Sequence, residues 1–178
     1  MRVSLLAALD LDGCIGKKGN HRLQWRQAED MKRFRALTTG QVVIMGYNTF
    51  ASLDFKPLPN RVNIVISRAH IDELRENPEI LCASSLEKAI SLAKDMYLCK
   101  EAFIIGGALV YNEAIEKRLA SRYYLTIVKT QCGGDAIVKI PDFAKPPYNN
   151  WEAVQSDAVD ADEKNEFPMI FFVYEERK

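Results

Sequence analysis

No apolar run in this chain approaches the roughly 20 residues that a membrane-spanning helix needs. Neither charge sign is in excess, with 24 lysines and arginines against 24 aspartates and glutamates. That balance argues against nucleic acid or a membrane surface as partner, while leaving room for a local basic pocket that takes a small anion. Cysteine is scarce and scattered. Cys14, Cys82, Cys99 and Cys132 form no CxxC pair, so neither a zinc site nor a disulfide framework is expected, and reduced thiols in a cytoplasmic protein are the default. His21 and His70 have no partner at metal-ligand spacing. The GxGxxG fingerprint of an ordinary Rossmann dinucleotide site is missing. No repeat, low-complexity tract or linker breaks the chain, which reads as one domain over residues 1–178. MRVSLLAAL is only superficially a signal peptide: its apolar stretch is short, lacks a cleavage site and runs straight into DLDG, as a buried first strand would.

What remains is rich in core. Hydrophobic residues make up 48 % of the chain, too many for disorder. VSLLAAL, QVVIMG, VNIVIS, EILCAS, AFIIGG and RYYLTIVK read as strands. Between them lie helical stretches: AEDMKRFRALT, NTFASL, Ser85 to Met96 with Leu86, Ala89, Ile90 and Ala93 inward, and ALVYNEAI. WEAVQSDAV and PMIFFVYEE follow with no helix between them, and Gly133 to Asn150 reads as loop. This alternation predicts an α/β fold: a central, mostly parallel twisted sheet with an antiparallel C-terminal edge and helices on both faces. Ligands of such sheets bind beyond the carboxyl ends of the strands.

One charge is out of place. Stepped at about 100° per residue, Met31, Phe34 and Leu37 share an arc of roughly 120° on the AEDMKRFRALT helix. Glu29, Lys32, Arg33 and Arg35 fall outside the arc, and Asp30 falls inside it. A carboxylate taken from water needs a partner, either a polar ligand held against an apolar wall or local backbone and water. Two strand-to-helix turns, MGYNTF with Gly46 and IIGGALVY with Gly106 and Gly107, allow close backbone approach and offer free helix N–H groups to an anion. Ser67 and Arg68, just past VNIVI, offer a hydroxyl and a guanidinium to a further phosphate, as in a dinucleotide of the NADP type.

Taken in order, these segments resemble dihydrofolate reductase over essentially the whole chain, from about Val3 to Tyr174. SLLAALDLDGCIG resembles that family's first strand and mobile loop, and LQWRQAEDMKRF its Trp and acid-bearing helix. VVIMGYNTFASL and FIIGGALVY resemble the cofactor turns, PLPNRVNIVISR the Arg-bearing loop and strand, YYLTIV the strand with the pocket Thr, and GGDAIVKIPDF a late acidic-aromatic segment. The resemblance implies NADPH-dependent reduction of 7,8-dihydrofolate to tetrahydrofolate by hydride transfer to C6 and water-mediated protonation at N5, in support of one-carbon and thymidylate metabolism.

The resemblance also assigns roles. Asp30, Trp25 and Thr126 would be the catalytic set, with burial raising the Asp30 pKa. Leu6, Ala7, Met31, Phe34, Leu53, Leu58, Ile105 and Thr126 would line the substrate pocket, and Arg61 would pair with the glutamate-tail carboxylate. Ala8, Ile15, Gly16, Gly46, Tyr47, Asn48, Thr49, Ser67, Arg68, Ile105, Gly106, Gly107, Ala108, Leu109, Val110 and Tyr111 would take NADPH. Tyr47 departs from the family, standing where many relatives carry a basic residue near the extra phosphate. The loop GKKGNHRLQW is longer than in short bacterial relatives, and its Lys17, Lys18 and Arg22 suit either a phosphate or solvent. A monomeric cytoplasmic enzyme open to antifolate inhibitors is the expectation. A reductase of ribosylated pyrimidines in flavin synthesis, and a binding module that has lost turnover, are the alternatives.

Overall fold

In the computed structural model, which describes residues 1–17, 25–96 and 98–177, the apolar runs become strands of one sheet. The expectations placed on Lys18, Gly19, His21, Arg22, Leu23 and Gln24 lie outside the described residues. In chain order the elements are β1 (Arg2–Leu9), α1 (Ala28–Thr38), β2 (Val42–Gly46), α2 (Tyr47–Ser52), β3 (Val62–Ile66), α3 (Ile71–Arg75), β4 (Ile80–Ala83), α4 (Leu86–Lys94), β5 (Glu101–Ile104), α5 (Ala108–Glu116), β6 (Arg122–Val128), β7 (Trp151–Val159) and β8 (Met169–Glu176). The strand order is β4-β3-β2-β5-β1-β6-β8-β7. Strands β1 to β6 pair parallel, and β8 runs antiparallel to both β6 and β7, giving the predicted edge.

The central strands are continuously apolar because both faces of the sheet are covered. On one face Val3, Leu5, Ala7 and Leu9 meet Ile44, Ile64 and Ile104 under α4 and α5. On the other, Val43, Met45 and Val65 meet Phe50 of α2 and Leu74 of α3, while Leu6, Phe103 and Tyr124 meet Phe34 and Leu37 of α1. Helix α4 buries the four residues its periodicity predicts, Leu86, Ala89, Ile90 and Ala93, and Ser85 caps it by accepting from Lys88 N at 3.3 Å. Five-residue α3 was not anticipated, since it is too short to display a period. β7 buries Trp151 at its start and leaves most of its length exposed, as an edge strand with polar residues on both faces does. Among the described residues no helix is long and apolar enough to cross a membrane.

Helix α1 owes its position to the far end of the chain. Its Ncap residue, Gln27, makes no side-chain cap. Instead Asn165 Oδ1 accepts from Glu29 N at 3.0 Å, and Gln27 Nε2 donates to the Phe167 carbonyl at 2.5 Å. Asp162 fixes Asn165 in turn, accepting from its backbone N and its Nδ2. The β7–β8 connection thereby supplies the first-turn acceptor that the local sequence lacks.

Candidate active site

A cavity of about 720 Å³ opens at the carboxyl ends of β1, β2 and β5. Its walls bring together Leu6, Ala7, Ala8, Ile15, Gly16, Asp30, Met31 and Phe34 with Ile105 and the two glycine turns, Gly46 to Thr49 and Gly106 to Tyr111. Most of the expected site residues thus share one space, although they come from three strands' ends, three helices and the loop after β1. Lys17, Ser52, Ile66, Asn112, Asp135, Ala136 and Ile137 line it as well. The last three belong to a stretch read as plain loop; irregular backbone carries no period that would have marked them.

Asp30 is 8 % exposed, the one ionisable side chain that α1 buries. Thr126 Oγ1 on β6 donates to its Oδ1 at 2.6 Å. Burial raises the Asp30 pKa, against the opposing pull of the Thr126 hydrogen bond and of the nearby Arg33 charge. Arg33 is a departure from the helical reading, which put it on the outer face. It is half-buried behind the acid, with a nitrogen 3.5 Å from Thr126 Oγ1, another donating to the Phe172 carbonyl at 3.3 Å, and its guanidinium 4.6 Å over the Phe171 ring. A long side chain swings round a helix further than its Cβ direction suggests. Conversely Met31, expected on the buried face, is 39 % exposed where α1 meets the cavity.

The glycine turns need glycine. Gly106 has φ +123°, a region closed to most side chains, and its carbonyl accepts from Gly46 N at 2.8 Å. It joins Gly107 through a cis peptide. A Cβ on Gly46 would stand 3.1 Å from Val110 Cγ2, and one on Gly107 3.3 Å from Thr49 Oγ1. The two turns therefore pack on each other and present the first turns of α2 and α5 to the cavity, a cradle suited to a phosphate-bearing nucleotide. Tyr111 is buried with its hydroxyl donating to the Leu6 carbonyl at 2.7 Å, and burial and the Asp30 charge hold its pKa high.

Other expected residues stand outside the cavity wall. Trp25 is buried against Val128 and Met169, and its Nε1 has no protein partner among the described residues. Leu53 and Leu58 pack against the cluster around Met45 and Phe50. Arg61 lies 5.9 Å over the Phe34 ring but is turned to Thr38 Oγ1 (2.8 Å), the Pro59 carbonyl (2.6 Å) and Thr39 Oγ1 (3.3 Å), beside a smaller hollow of about 380 Å³. Ser67 Oγ accepts from His70 N at 3.0 Å, and Arg68 is exposed. Tyr47, by contrast, lines the cavity and also stacks on the His70 ring with centroids 4.0 Å apart, a contact no sequence pattern marked.

A family model described as dihydrofolate reductase matches residues 2–176. Among curated proteins, the type 3 dihydrofolate reductase of Salmonella typhimurium is 36 % identical over 176 residues, covering 96 % of each chain. The dihydrofolate reductase of Haemophilus influenzae is 33 % identical over 173 residues, covering 97 % of this chain and 98 % of its own. Among solved structures, dihydrofolate reductase from Enterococcus faecalis complexed with NADP(H) and RAB-propyl superposes with a TM-score of 0.81 at 26 % identity, covering 99 % of this chain and 97 % of that one. These matches place the chain in the class of NADPH-dependent oxidoreductases with an α/β fold. Within that class, it belongs to the dihydrofolate reductase family.

Proposed function

We propose that this protein reduces 7,8-dihydrofolate to 5,6,7,8-tetrahydrofolate with NADPH, as a single-domain, monomeric cytoplasmic enzyme of one-carbon and thymidylate metabolism. The observation that carries the proposal is the buried Asp30 carboxylate opening onto the same cavity as the Gly106–Gly107 turn. NADPH, when bound, supplies a hydride, which the substrate takes at C6.

The chain's own residues do the rest. Asp30 accepts from the pterin 2-amino group and the adjacent ring N–H at once, a two-point contact that fixes the ring. Thr126 keeps the carboxylate oriented by donating to Oδ1. Trp25, whose Nε1 has no protein partner among the described residues, holds an ordered water that carries the proton to N5. Leu6, Ala7, Met31, Phe34 and Ile105 form the apolar wall that excludes bulk water, backed by Leu53 and Leu58. Arg61, which sits near Phe34, exchanges its threonine contacts for the α-carboxylate of the glutamate tail.

Ala8, Ile15 and the Gly106–Gly107 turn form the nicotinamide side of the cavity. The first turns of α2 and α5, with Gly16, serve the pyrophosphate and ribose. Ser67 and Arg68 serve the extra phosphate, where Tyr47 supplies no charge. A cavity of this shape also accepts flat, diamino-substituted antifolates, since Asp30 reads their amino groups as it reads the substrate's.

NADPH oxidation followed at 340 nm with and without dihydrofolate tests the reading. Oxidation that depends on dihydrofolate is the expected result; oxidation indifferent to it would remove the proposal.

A further inference from the structure

Cys14 and Cys132 are 118 positions apart, yet their sulfurs lie 2.8 Å from each other. Two thiolates sharing a tetrahedral zinc would stand about 3.8 Å apart, whereas a disulfide needs about 2.05 Å. Asp10, which lies beside them, is already committed. Its carboxylate accepts from Cys14 N (2.8 Å), Asp12 N (2.9 Å) and Cys132 N (2.8 Å), and these donors outweigh its burial and hold it below the usual carboxylate range. The pair is therefore built for a bond between sulfurs rather than for a metal. We propose that Cys14 and Cys132 form a disulfide on exposure to a peroxide, and that this bond locks two loops at the mouth of the active-site cavity.

The loops are already mated. Ile15 N donates to the Ala136 carbonyl at 2.9 Å, Ala136 N to the Gly16 carbonyl at 3.1 Å, and Val138 N to the Gly13 carbonyl at 2.8 Å. Their closeness is such that a Cβ on Gly134 would fall 2.2 Å from the Gly16 carbonyl oxygen and 2.7 Å from Cys14 Sγ. Ile15, Gly16, Asp135 and Ala136 line the cavity directly. A covalent bond at Cys14 and Cys132 would hold these two stretches of cavity wall together.

Cys14 is 1 % exposed and Cys132 is more accessible, so the reaction starts at Cys132. Its sulfur attacks the peroxide, an S–O bond forms, the O–O bond breaks and the first water leaves. Cys14 sulfur then displaces the S–O oxygen as the second water. Two thiols lose two protons and two electrons, and the peroxide takes them up. Burial and the hydrogen bond to Cys14 push the Cys132 thiol up to about 12, so the pair rests reduced and reacts slowly at neutral pH.

The test treats the folded, full chain with hydrogen peroxide, blocks remaining thiols by alkylation and maps the peptides. The expected result is loss of two hydrogens and a peptide joining Cys14 to Cys132, with Cys82 and Cys99 alkylated. A melting temperature about 10 °C higher should accompany it, since a long loop is closed in the unfolded chain. Turnover should fall at least threefold, return with dithiothreitol, and stay constant through the treatment in Cys132→Val. The turnover arm rests on the proposed function, whereas the map and the melt do not and need no variant. Both cysteines recovered alkylated, oxidised separately to sulfinic acids, or joined to Cys82 or Cys99 would overturn the disulfide. Cross-linked protein that turns over like the reduced form would overturn the locking of the loops.

Discussion

The two faces of the sheet are built to different standards. Under α4 and α5 the interior is filled: Leu86, Ala89, Ala93 and Ala114 have no exposed surface, and the face closes over β1 and its neighbours. Under α1 the packing is incomplete. Of its 11 residues only Asp30 and Thr38 are buried, both polar, and the space left over is part of the cavity. One face invests its apolar residues in cohesion and the other leaves surface for a ligand. Loss of side chains should therefore register as instability on the first face and as lost chemistry on the second.

The largest effect should come from Asp30→Asn. We expect turnover of dihydrofolate at pH 7 to drop by about a thousandfold, with partial recovery in acid, measured by NADPH oxidation across a pH series. Stability should move the other way. Because the folded-state pKa of Asp30 is raised, the charged form is a burden above the unfolded value, and stability rises as pH falls through the folded value. Asp30→Asn should therefore melt no lower than the parent at pH 7, and parent and variant should converge in acid.

The mirror experiment is Leu86→Ala on the filled face. A fully buried leucine in a tight cluster should cost about 3 kcal/mol of unfolding free energy by denaturant titration. The rate per folded molecule should be unchanged. A variant with halved turnover and parental stability would erase the contrast between the faces.

Arg61→Lys should raise the KM for dihydrofolate about tenfold while leaving NADPH affinity alone, since an ammonium cannot match a carboxylate two-pronged. Fluorescence titration with NADPH separates the two. The smallest effect is a shift rather than a loss. Arg33→Met removes the cation that opposes the rise in the Asp30 pKa, so the pH–rate profile should move to higher pH. A profile that stays put would mean that the Arg33 charge is screened from the acid.

How much of this was legible beforehand differs between the faces as well. β1, β2, β3 and α4 could be read because a covered sheet and an amphipathic helix write their burial into spacing. Asp30 could be read because a charge inside an apolar arc is an anomaly on any wheel. Arg33 could not, since its reach round the helix is set by β6 and β8, which lie more than 80 residues downstream. Nor could the meeting of Cys14 with Cys132, which pairwise spacing presents as a distant and unrelated couple. The contribution of Asp135 to Ile137 was hidden for another reason: irregular loops are placed by backbone partners such as Gly16 and Ile15, and those bonds leave no mark on residue type.

The anchoring of α1 by Asn165 and Gln27 has a temporal side. During synthesis the acid-bearing helix emerges early, but the acceptor for its first turn arrives only with residue 165, and β8 must then slot between β6 and β7. A ribosome-bound chain paused after β7 thus lacks the acceptor for the first turn of α1, and β7 has no strand to pair with until β8 arrives.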